Sequence, residues 1–280
     1  MVNSILFTLL ILFLPLSAFL YQLFFGKKLG AQTHFVSLGI MAVVLALSFS
    51  FFVQLFDHNL TGPILDVSGI WFTTGAFTLE LGFYIDKITA IMLMVVSLIS
   101  FLVHLYSTAY MKGDARYSRY FAFLGLFTFS MNGIVLSNSL IMMYLFWELV
   151  GLSSYLLIGF WFQRPAAAAA AKKAFIMTRF GDLGFLIGIL YLFVHSGDLV
   201  AQQLNPLVVT DIYQGIEMGV ISSTLATWVG LGILAGAIGK SAQFPLHTWL
   251  PDAMEGPTPV SALIHAATMV AAGIFLVARF

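Results

Sequence analysis

Residues 238–247 read Ile238-Gly239-Lys240-Ser241-Ala242-Gln243-Phe244-Pro245-Leu246-His247 and place a lysine and a proline inside the longest apolar run of the chain. That run, Ile221–Ala253, has 33 residues, whereas a straight helix needs about 20 to cross a bilayer. Pro245 and Pro251 lack a backbone N–H and disfavour continuous helix. We therefore predict a helix that is interrupted near Gln243–Pro245 and resumes as a short second piece, with Lys240 close to the break and near mid-membrane. The alternative is a straight helix from which Lys240 extends to the inner surface.

The composition indicates a membrane protein. Of the 280 residues, 60% are hydrophobic and 9% are charged, whereas about a quarter of a water-soluble domain is charged. The 12 basic and 12 acidic side chains give no net charge, so there is no basic footprint for nucleic acid. The absence of cysteine excludes disulfides, thiolate catalysis and cysteine-held zinc or iron–sulfur sites within these residues. No glycine-rich nucleotide-binding motif occurs.

Eight apolar runs are long enough for helices across a bilayer. They are Val2–Phe25, Phe35–Phe56, Ile88–Tyr110, Phe121–Ser137, Leu140–Phe162, Phe175–His195, Ile221–Ala253 and Ser261–Phe280. Because the runs are apolar on all sides, they predict an all-α polytopic transmembrane bundle of about eight spans, with a broken seventh helix, rather than a barrel. The first run precedes Lys27 and Lys28, the reverse of a signal peptide, which predicts a retained first helix. Pro165 and the six alanines after it predict that the sixth helix begins before its apolar run.

We divide the chain into two parts. Residues 1–118 hold helices one to three, and residues 119–280 hold helices four to eight. The first part includes an outer segment, residues 57–87, with an aromatic and alternating sequence. This pattern predicts a short hairpin or amphipathic piece at the membrane interface that covers helix ends.

The basic residues predict the orientation. The odd-numbered loops hold eight of them: Lys27, Lys28, Lys112, Arg116, Arg119, Arg164, Lys172 and Lys173. The opposite side has only Lys87, together with the acidic residues Asp57, Asp66, Glu80, Asp86, Asp198, Asp211 and Glu217. Because basic loops stay inside, we expect the N-terminus outside and the odd-numbered loops inside.

A few ionisable residues lie within the apolar runs, where a charge costs at least about 2.5 kcal/mol and functional use is the usual reason for it. Glu148 lies near the middle of the fifth span, with the small residue Gly151 one turn later. A lysine that holds a proton while a carboxylate is near, and releases it when the carboxylate moves away, is a proton-transfer switch. We therefore predict that Glu148 and Lys240 meet in a hydrated pocket, against the alternative of a static salt bridge that fixes helix packing.

Arg179 and Asp182 are three residues apart on the sixth helix, which predicts an ion pair. Its role is structural or, as the second choice, tuning of the region around Glu148 and Lys240. His265 could relay a proton because its ordinary pKa is near physiological pH, and His247 could feed the same wet region from beside the break. His104 is interpreted as a hydrogen-bonded histidine. The six histidines show no metal-ligand spacing.

Three segments resemble a known family. Trp147–Trp161, Arg179–Gly184 and Lys240–Val270 are similar to the motifs of the largest antiporter-like subunit, subunit L or 5, of proton-pumping NADH:quinone oxidoreductase (complex I). The resemblance extends from about Phe83 onward and is weaker before it. It implies a subunit of an H⁺-translocating oxidoreductase, with Glu148, Lys240 and His265 in proton translocation.

The same resemblance implies two inverted repeats, of which this chain holds the first. Because Phe280 lies within the eighth apolar run, we expect an N-terminal portion of a longer subunit. No redox site is expected in this chain, since FMN, iron–sulfur clusters and quinone would be bound by other complex I subunits, which are the expected partners together with the lipid bilayer. The expected location is a bacterial inner (plasma) membrane, with an organellar energy-converting membrane as the alternative.

Two other functions remain open from the sequence. One is the large subunit of a multi-subunit sodium/proton antiporter, which is expected to carry a lysine just after Thr268-Met269-Val270, where this chain has Ala271-Ala272-Gly273. That difference favours the oxidoreductase. The other is a structural membrane anchor for partner subunits. Plastid, cyanobacterial and inorganic-carbon-uptake relatives share the motifs.

Overall fold

The computed structural model describes residues 2–56, 62–74 and 77–280. Its elements are α1 (Val2–Leu29), α2 (Thr33–Val53), β1 (Leu65–Thr74), β2 (Phe77–Ile85), α3 (Lys87–Tyr110), α4 (Tyr117–Leu136), α5 (Leu140–Ile158), α6 (Pro165–Val194), α7 (Gly197–Ala201), α8 (Val209–Glu217), α9 (Ser223–Lys240), α10 (Trp249–Asp252), α11 (Thr258–Ala262) and α12 (Met269–Arg279). A π-helical turn, Leu263–Ala267, joins α11 to α12.

The predicted helix bundle is confirmed. Within the described residues, seven helical segments are long and apolar enough to cross a membrane: Asn3–Leu29, Thr33–Phe56, Lys87–Tyr110, Tyr117–Leu136, Leu140–Trp161, Pro165–Val194 and Thr258–Arg279. The remaining predicted span, the seventh (Ile221–Ala253), corresponds to α9 and the broken segment after it. As the proline and alanine run predicts, α6 begins at Pro165.

Helix α4 lies at the centre of the bundle. Almost all of its residues from Tyr120 to Leu136 are buried, against α1, α3 and α5. The helices at the periphery of the bundle instead expose large apolar side chains such as Phe24 and Phe35. An apolar exterior around a polar-containing interior is what a lipid environment requires. Because α4 also packs against α1, the two parts predicted on either side of residue 118 share a core, and the boundary itself stays a prediction.

The seventh helix is broken, as predicted. Helix α9 ends at Lys240, residues 241–248 are not helical, and α10 then forms a single turn. The break starts earlier than Pro245, because Ala242 already has a left-handed backbone with φ of +49°. Pro251 lies in the first turn of α10, where the missing N–H costs nothing, so it does not interrupt a helix.

The last span is also discontinuous, which the sequence did not indicate. Thr268 departs from helical geometry with φ of −126° and ψ of −79°, and its hydroxyl donates to the Leu263 carbonyl at 2.5 Å. The two breaks touch each other, because the Ser241 hydroxyl donates to the Val270 carbonyl at 2.6 Å. Hydroxyl groups thus supply hydrogen bonds at both breaks, where the helices depart from regular geometry.

The described part of residues 57–87 contains an antiparallel hairpin. Strands β1 and β2 pair from Leu65 with Ile85 onward, with an irregularity between Ile70 and Phe72. This confirms one of the two predicted forms of residues 57–87, although Asp57 lies outside the described residues.

The hairpin leads into Asp86, which caps α3 by accepting a hydrogen bond from the Thr89 backbone N–H at 2.9 Å. Arg279 at the end of α12 binds the Asp86 carboxylate at 2.8 and 3.0 Å. Burial alone would raise the pKa of Asp86, but the Arg279 charge and the hydrogen bonds from Thr89 and Arg279 hold it below its usual value. For Asp66 in β1, burial and then the charges of Asp211 and Glu80 raise the pKa. At this end of the bundle, the charged form of Asp86 is therefore stabilised, whereas the charged form of Asp66 is destabilised.

Candidate functional site

Glycines bring α6 and α9 into backbone contact. A Cβ atom on Gly232 would lie 2.6 Å from the Gly188 Cα, and a Cβ on Gly239 would lie 3.0 Å from the Gly181 Cα. No side chain larger than hydrogen fits between the two helices at these positions, and small residues at such contacts are what membrane helices use to approach closely. This contact determines where the next residue of α9, Lys240, lies.

Lys240 binds Asp182 in the interior of the bundle. The Lys240 Nζ donates to the Asp182 Oδ2 at 3.1 Å, and the two side chains are 0% and 1% exposed. The Trp147 indole N–H donates to the other carboxylate oxygen at 2.6 Å. The Lys240 ammonium also lies 5.8 Å from the centre of the Trp147 ring. The alternative in which Lys240 extends to the inner surface is therefore wrong.

Arg179 connects this pair to Glu148. Its Nη1 contacts the Asp182 Oδ2 at 3.2 Å and forms an ion pair with the Glu148 carboxylate, while its Nη2 donates to the Glu148 carbonyl at 2.9 Å. The predicted Arg179–Asp182 ion pair is thus present. Among the described ion pairs none joins Glu148 to Lys240. The direct contact expected from the sequence is replaced by a chain of four charged groups, Glu148–Arg179–Asp182–Lys240.

Gly151 on α5 provides the space for the two cations. A Cβ atom there would lie 2.8 Å from both the Lys240 Nζ and the Arg179 Nη2. The side chains of Glu148 and Arg179 are 31% and 24% exposed, in contrast to the buried Asp182 and Lys240. One end of the chain of charges therefore reaches the surface of the bundle and the other end is enclosed.

The histidines lie apart from these ion pairs. His265, on the π-helical turn, packs edge-on against Trp249 with ring centres 6.4 Å apart, and its buried Nε2 has no hydrogen-bond partner among the described residues. Trp249 in turn donates to the Gly239 carbonyl at 3.1 Å, which places it between His265 and the end of α9. His247 is exposed beside Phe244. His104 is fully buried, with its Nδ1 at 2.7 Å from the Ser100 carbonyl, so its predicted hydrogen bond is present.

Sequence reasoning missed one participant in the site and one ion pair near it. Trp147, adjacent to Glu148, is a donor to Asp182, and its indole N–H in an apolar run was the available signal. Lys173 binds Asp252 at 2.6 Å and links α6 to α10. Within the described residues, no group of three or more His, Asp or Glu side chains could hold a metal ion.

Comparison with known proteins relates this geometry to a family. Residues 137–280, just over half of the chain, match the family model described as "NADH:quinone oxidoreductase/Mrp antiporter, TM". The chain belongs to this NADH:quinone oxidoreductase/Mrp antiporter family. Residues 71–121 match the model described as "NADH-Ubiquinone oxidoreductase (complex I), chain 5 N-terminus". The resemblance to subunit 5 of complex I is confirmed.

Two organellar members of the NADH:quinone oxidoreductase/Mrp antiporter family illustrate the sequence similarity. NAD(P)H-quinone oxidoreductase subunit 5, chloroplastic, of Marchantia polymorpha is 47% identical over 278 residues, which is 95% of this chain and 39% of that protein. Subunit 5 from the organellar chromatophore of Paulinella chromatophora is 49% identical over 253 residues, 90% of this chain and 36% of that protein. The chain therefore spans well under half of the length of these relatives.

Solved structures share the fold. The membrane-bound sulfane sulfur reductase, an archaeal respiratory membrane complex, contains a chain that matches with a TM-score of 0.77 at 20% identity, over 97% of this chain and 52% of that chain. The Mrp complex from Dietzia sp. matches with a TM-score of 0.78 at 26% identity, over 96% of this chain and 27% of that chain. At 20% identity the first match supports the fold alone. The molecule is an integral membrane protein of the NADH:quinone oxidoreductase/Mrp antiporter family.

Proposed function

We propose that this chain is part of a proton-translocating subunit of an NAD(P)H:quinone oxidoreductase, in which Lys240 gains and releases a proton. The supporting observation is the fully buried Lys240–Asp182 pair, joined through Arg179 to Glu148. A buried ion pair adds little stability over an apolar pair. An intramembrane charge is therefore a functional residue by default.

The chemistry of the four groups assigns them different tasks. Arg179 cannot release its proton at physiological pH, so it acts as a movable charge. When Arg179 pairs with Glu148, the Asp182 carboxylate interacts with Lys240 alone and favours the protonated amine. When Arg179 moves onto Asp182, that carboxylate is neutralised by a cation that cannot titrate, and Lys240 releases its proton. Glu148 thus acts on Lys240 through Arg179 and Asp182 rather than by contact.

His265 is the proposed onward acceptor. Its Nε2 has no partner in the part of the chain that the structure describes, so it can accept a hydrogen bond from water, and Trp249 separates it from the end of α9. His247 is exposed and would exchange protons with the inner aqueous phase. The oxidoreductase reaction itself would take place in partner subunits that bind FMN, iron–sulfur clusters and quinone, and this chain would contribute proton movement.

In the proposed topology, the N-terminus lies on the outer side of an energy-converting membrane and the Lys173–Asp252 pair lies on its inner side. The relatives described above are organellar, which supports the organellar alternative beside a bacterial plasma membrane. The whole subunit would extend beyond these residues to include a second repeat.

The test uses the complete protein in inverted vesicles, with NAD(P)H oxidation and proton uptake measured together. Lys240→Met and Glu148→Gln are expected to lower the number of protons moved per NAD(P)H while the assembled complex persists on native gels. Lys173→Met is the matched control, since it removes an exposed lysine of the neighbouring inner surface. If both site variants assemble poorly and the remaining complex pumps normally, the chain is an anchor. If transport without NAD(P)H oxidation depends on sodium, the sodium/proton antiporter assignment is correct instead.

A further inference from the structure

A cleft on the inner side of the bundle is lined by cations and contains no carboxylate. It has a volume of about 260 Å³ and lies between the start of α4, the end of α5 and the first turns of α6. Arg116, Arg119 and Lys172 are its three cations. All three belong to the basic loops and helix ends that the charge distribution assigns to the inner surface.

The three cations have no acidic partner within the part of the chain that the structure describes. The Arg116 guanidinium lies 5.3 Å from the centre of the Phe160 ring and 4.8 Å from that of Phe162, so aromatic faces hold it in place. Asp114 is close in sequence but already engaged, since its two carboxylate oxygens accept from the Arg116 backbone N–H at 2.8 Å and from the Trp161 indole at 3.1 Å. A positive cluster without a counter-charge in the chain attracts an anion from outside it.

The rest of the cleft is apolar and narrow. Phe123 and Leu156 form its walls, and Ala168 from the alanine run adds a third wall without bulk. The alanine run therefore also keeps the cleft open, because larger side chains at Ala168 and Ala171 would fill it. Cations at the membrane interface above an apolar cleft match a phosphate head group above an acyl chain.

We propose that this cleft binds an anionic phospholipid. Its phosphate would be held by Arg116, Arg119 and Lys172, with the arginine guanidinium forks suited to two hydrogen bonds each. One acyl chain would lie along Phe123 and Leu156. The site is independent of the proton-transfer groups, none of which lines the cleft.

The experiment is photolabelling of the complete protein with its partner subunits in phosphatidylcholine vesicles. The probe is phosphatidylglycerol with a diazirine in one acyl chain, and the labelled peptides are mapped by mass spectrometry. We expect label on the peptides that carry Phe123 and Leu156, and little label there from the corresponding phosphatidylcholine probe. Each cation removed should weaken binding roughly fivefold, so Arg116→Gln, Arg119→Gln and Lys172→Gln together should reduce it on the order of a hundredfold.

Two comparisons separate the possible sources of binding. Lys27→Gln, Lys28→Gln and Lys112→Gln together remove the same charge from the inner surface outside the cleft and should have a much smaller effect. Ala168→Phe keeps all three cations but fills the cleft, and should abolish labelling. Equal labelling by phosphatidylcholine, displacement of the lipid probe by inorganic phosphate, or the absence of label from these peptides in the unmodified complex would each overturn the proposal.

Discussion

Replacement of Asp182 by asparagine tests the role of the buried pair most directly. Asp182 accepts hydrogen bonds from Trp147, Arg179 and Lys240, and asparagine retains an oxygen for Trp147 but has no charge. Lys240, with 0% of its side chain exposed, would then be a buried cation beside Arg179, with no carboxylate in contact with its amine. The variant should respond by releasing the proton of Lys240.

The size of the effect follows from the burial of the pair. Removal of one partner of a buried ion pair typically costs about 3–5 kcal/mol. Release of the Lys240 proton would avoid this cost, so the buried position favours the neutral amine in the variant. Weaker proton binding by Lys240 would impair its loading in each cycle.

The assay is proton uptake by inverted vesicles during NAD(P)H oxidation, with assembly followed on native gels. Asp182→Asn should abolish most of the uptake that depends on this subunit and lower the thermal stability of the complex. The double variant Asp182→Asn, Lys240→Met removes both charges, so stability should recover while uptake stays low. The exposed pair Lys173–Asp252, with side chains 42% and 45% exposed, is the control, because loss of a surface pair costs about 0–1 kcal/mol. Normal uptake by an assembled Asp182→Asn complex would refute the reasoning.

Three further predictions follow from other parts of the structure. Gly232→Leu should separate α6 from α9 and lower the melting temperature of the protein in detergent, at a cost of about 1–3 kcal/mol or more, whereas Gly230→Leu should have little effect because no atom of the described residues lies within 4 Å of a Cβ at that position; equal melting temperatures would contradict the backbone contact. Acidification should destabilise the Asp86–Arg279 contact: the folded-state pKa of Asp86 is depressed, so its contribution is complete above the unfolded value of about 3.9 and is lost as the pH falls through the folded value. In melting curves against pH, Asp86→Asn should be less stable at neutral pH and lack this component; an unchanged curve would show that the pair adds nothing. Finally, because the chain has no cysteine, Lys28→Cys should react with a membrane-impermeant maleimide only from the inner side and Met218→Cys only from the outer side, and the reverse pattern would invert the proposed topology.

The sequence predicted the elements of the fold but not the contacts between them. Apolar runs, the basic loops and the proline-containing break are local signals, so the spans and the discontinuity after Lys240 could be predicted. The Arg179–Asp182 pair could be predicted because both residues lie on one helix at a fixed spacing.

The partner of Lys240 could not be predicted in the same way. Which carboxylate it meets depends on the glycine contact between α6 and α9, and the sequence does not say which faces of two helices adjoin. The break at Thr268 has no proline to indicate it. It depends on the hydroxyl bond to Leu263 and on the nearby Ser241–Val270 bond, which exist only in the assembled bundle.

The Ser241–Val270 hydrogen bond has a mechanical consequence. It joins the point where α9 ends to the start of α12, and Gly273 one turn further along α12 is so close that a Cβ there would clash with the Ser241 side chain and the Ala237 carbonyl. A rotation or sliding of α12 must therefore either carry the end of α9 with it or break this bond. Because Lys240 precedes Ser241 in the chain, displacement at the far end of the last span would be transmitted to the position of its amine.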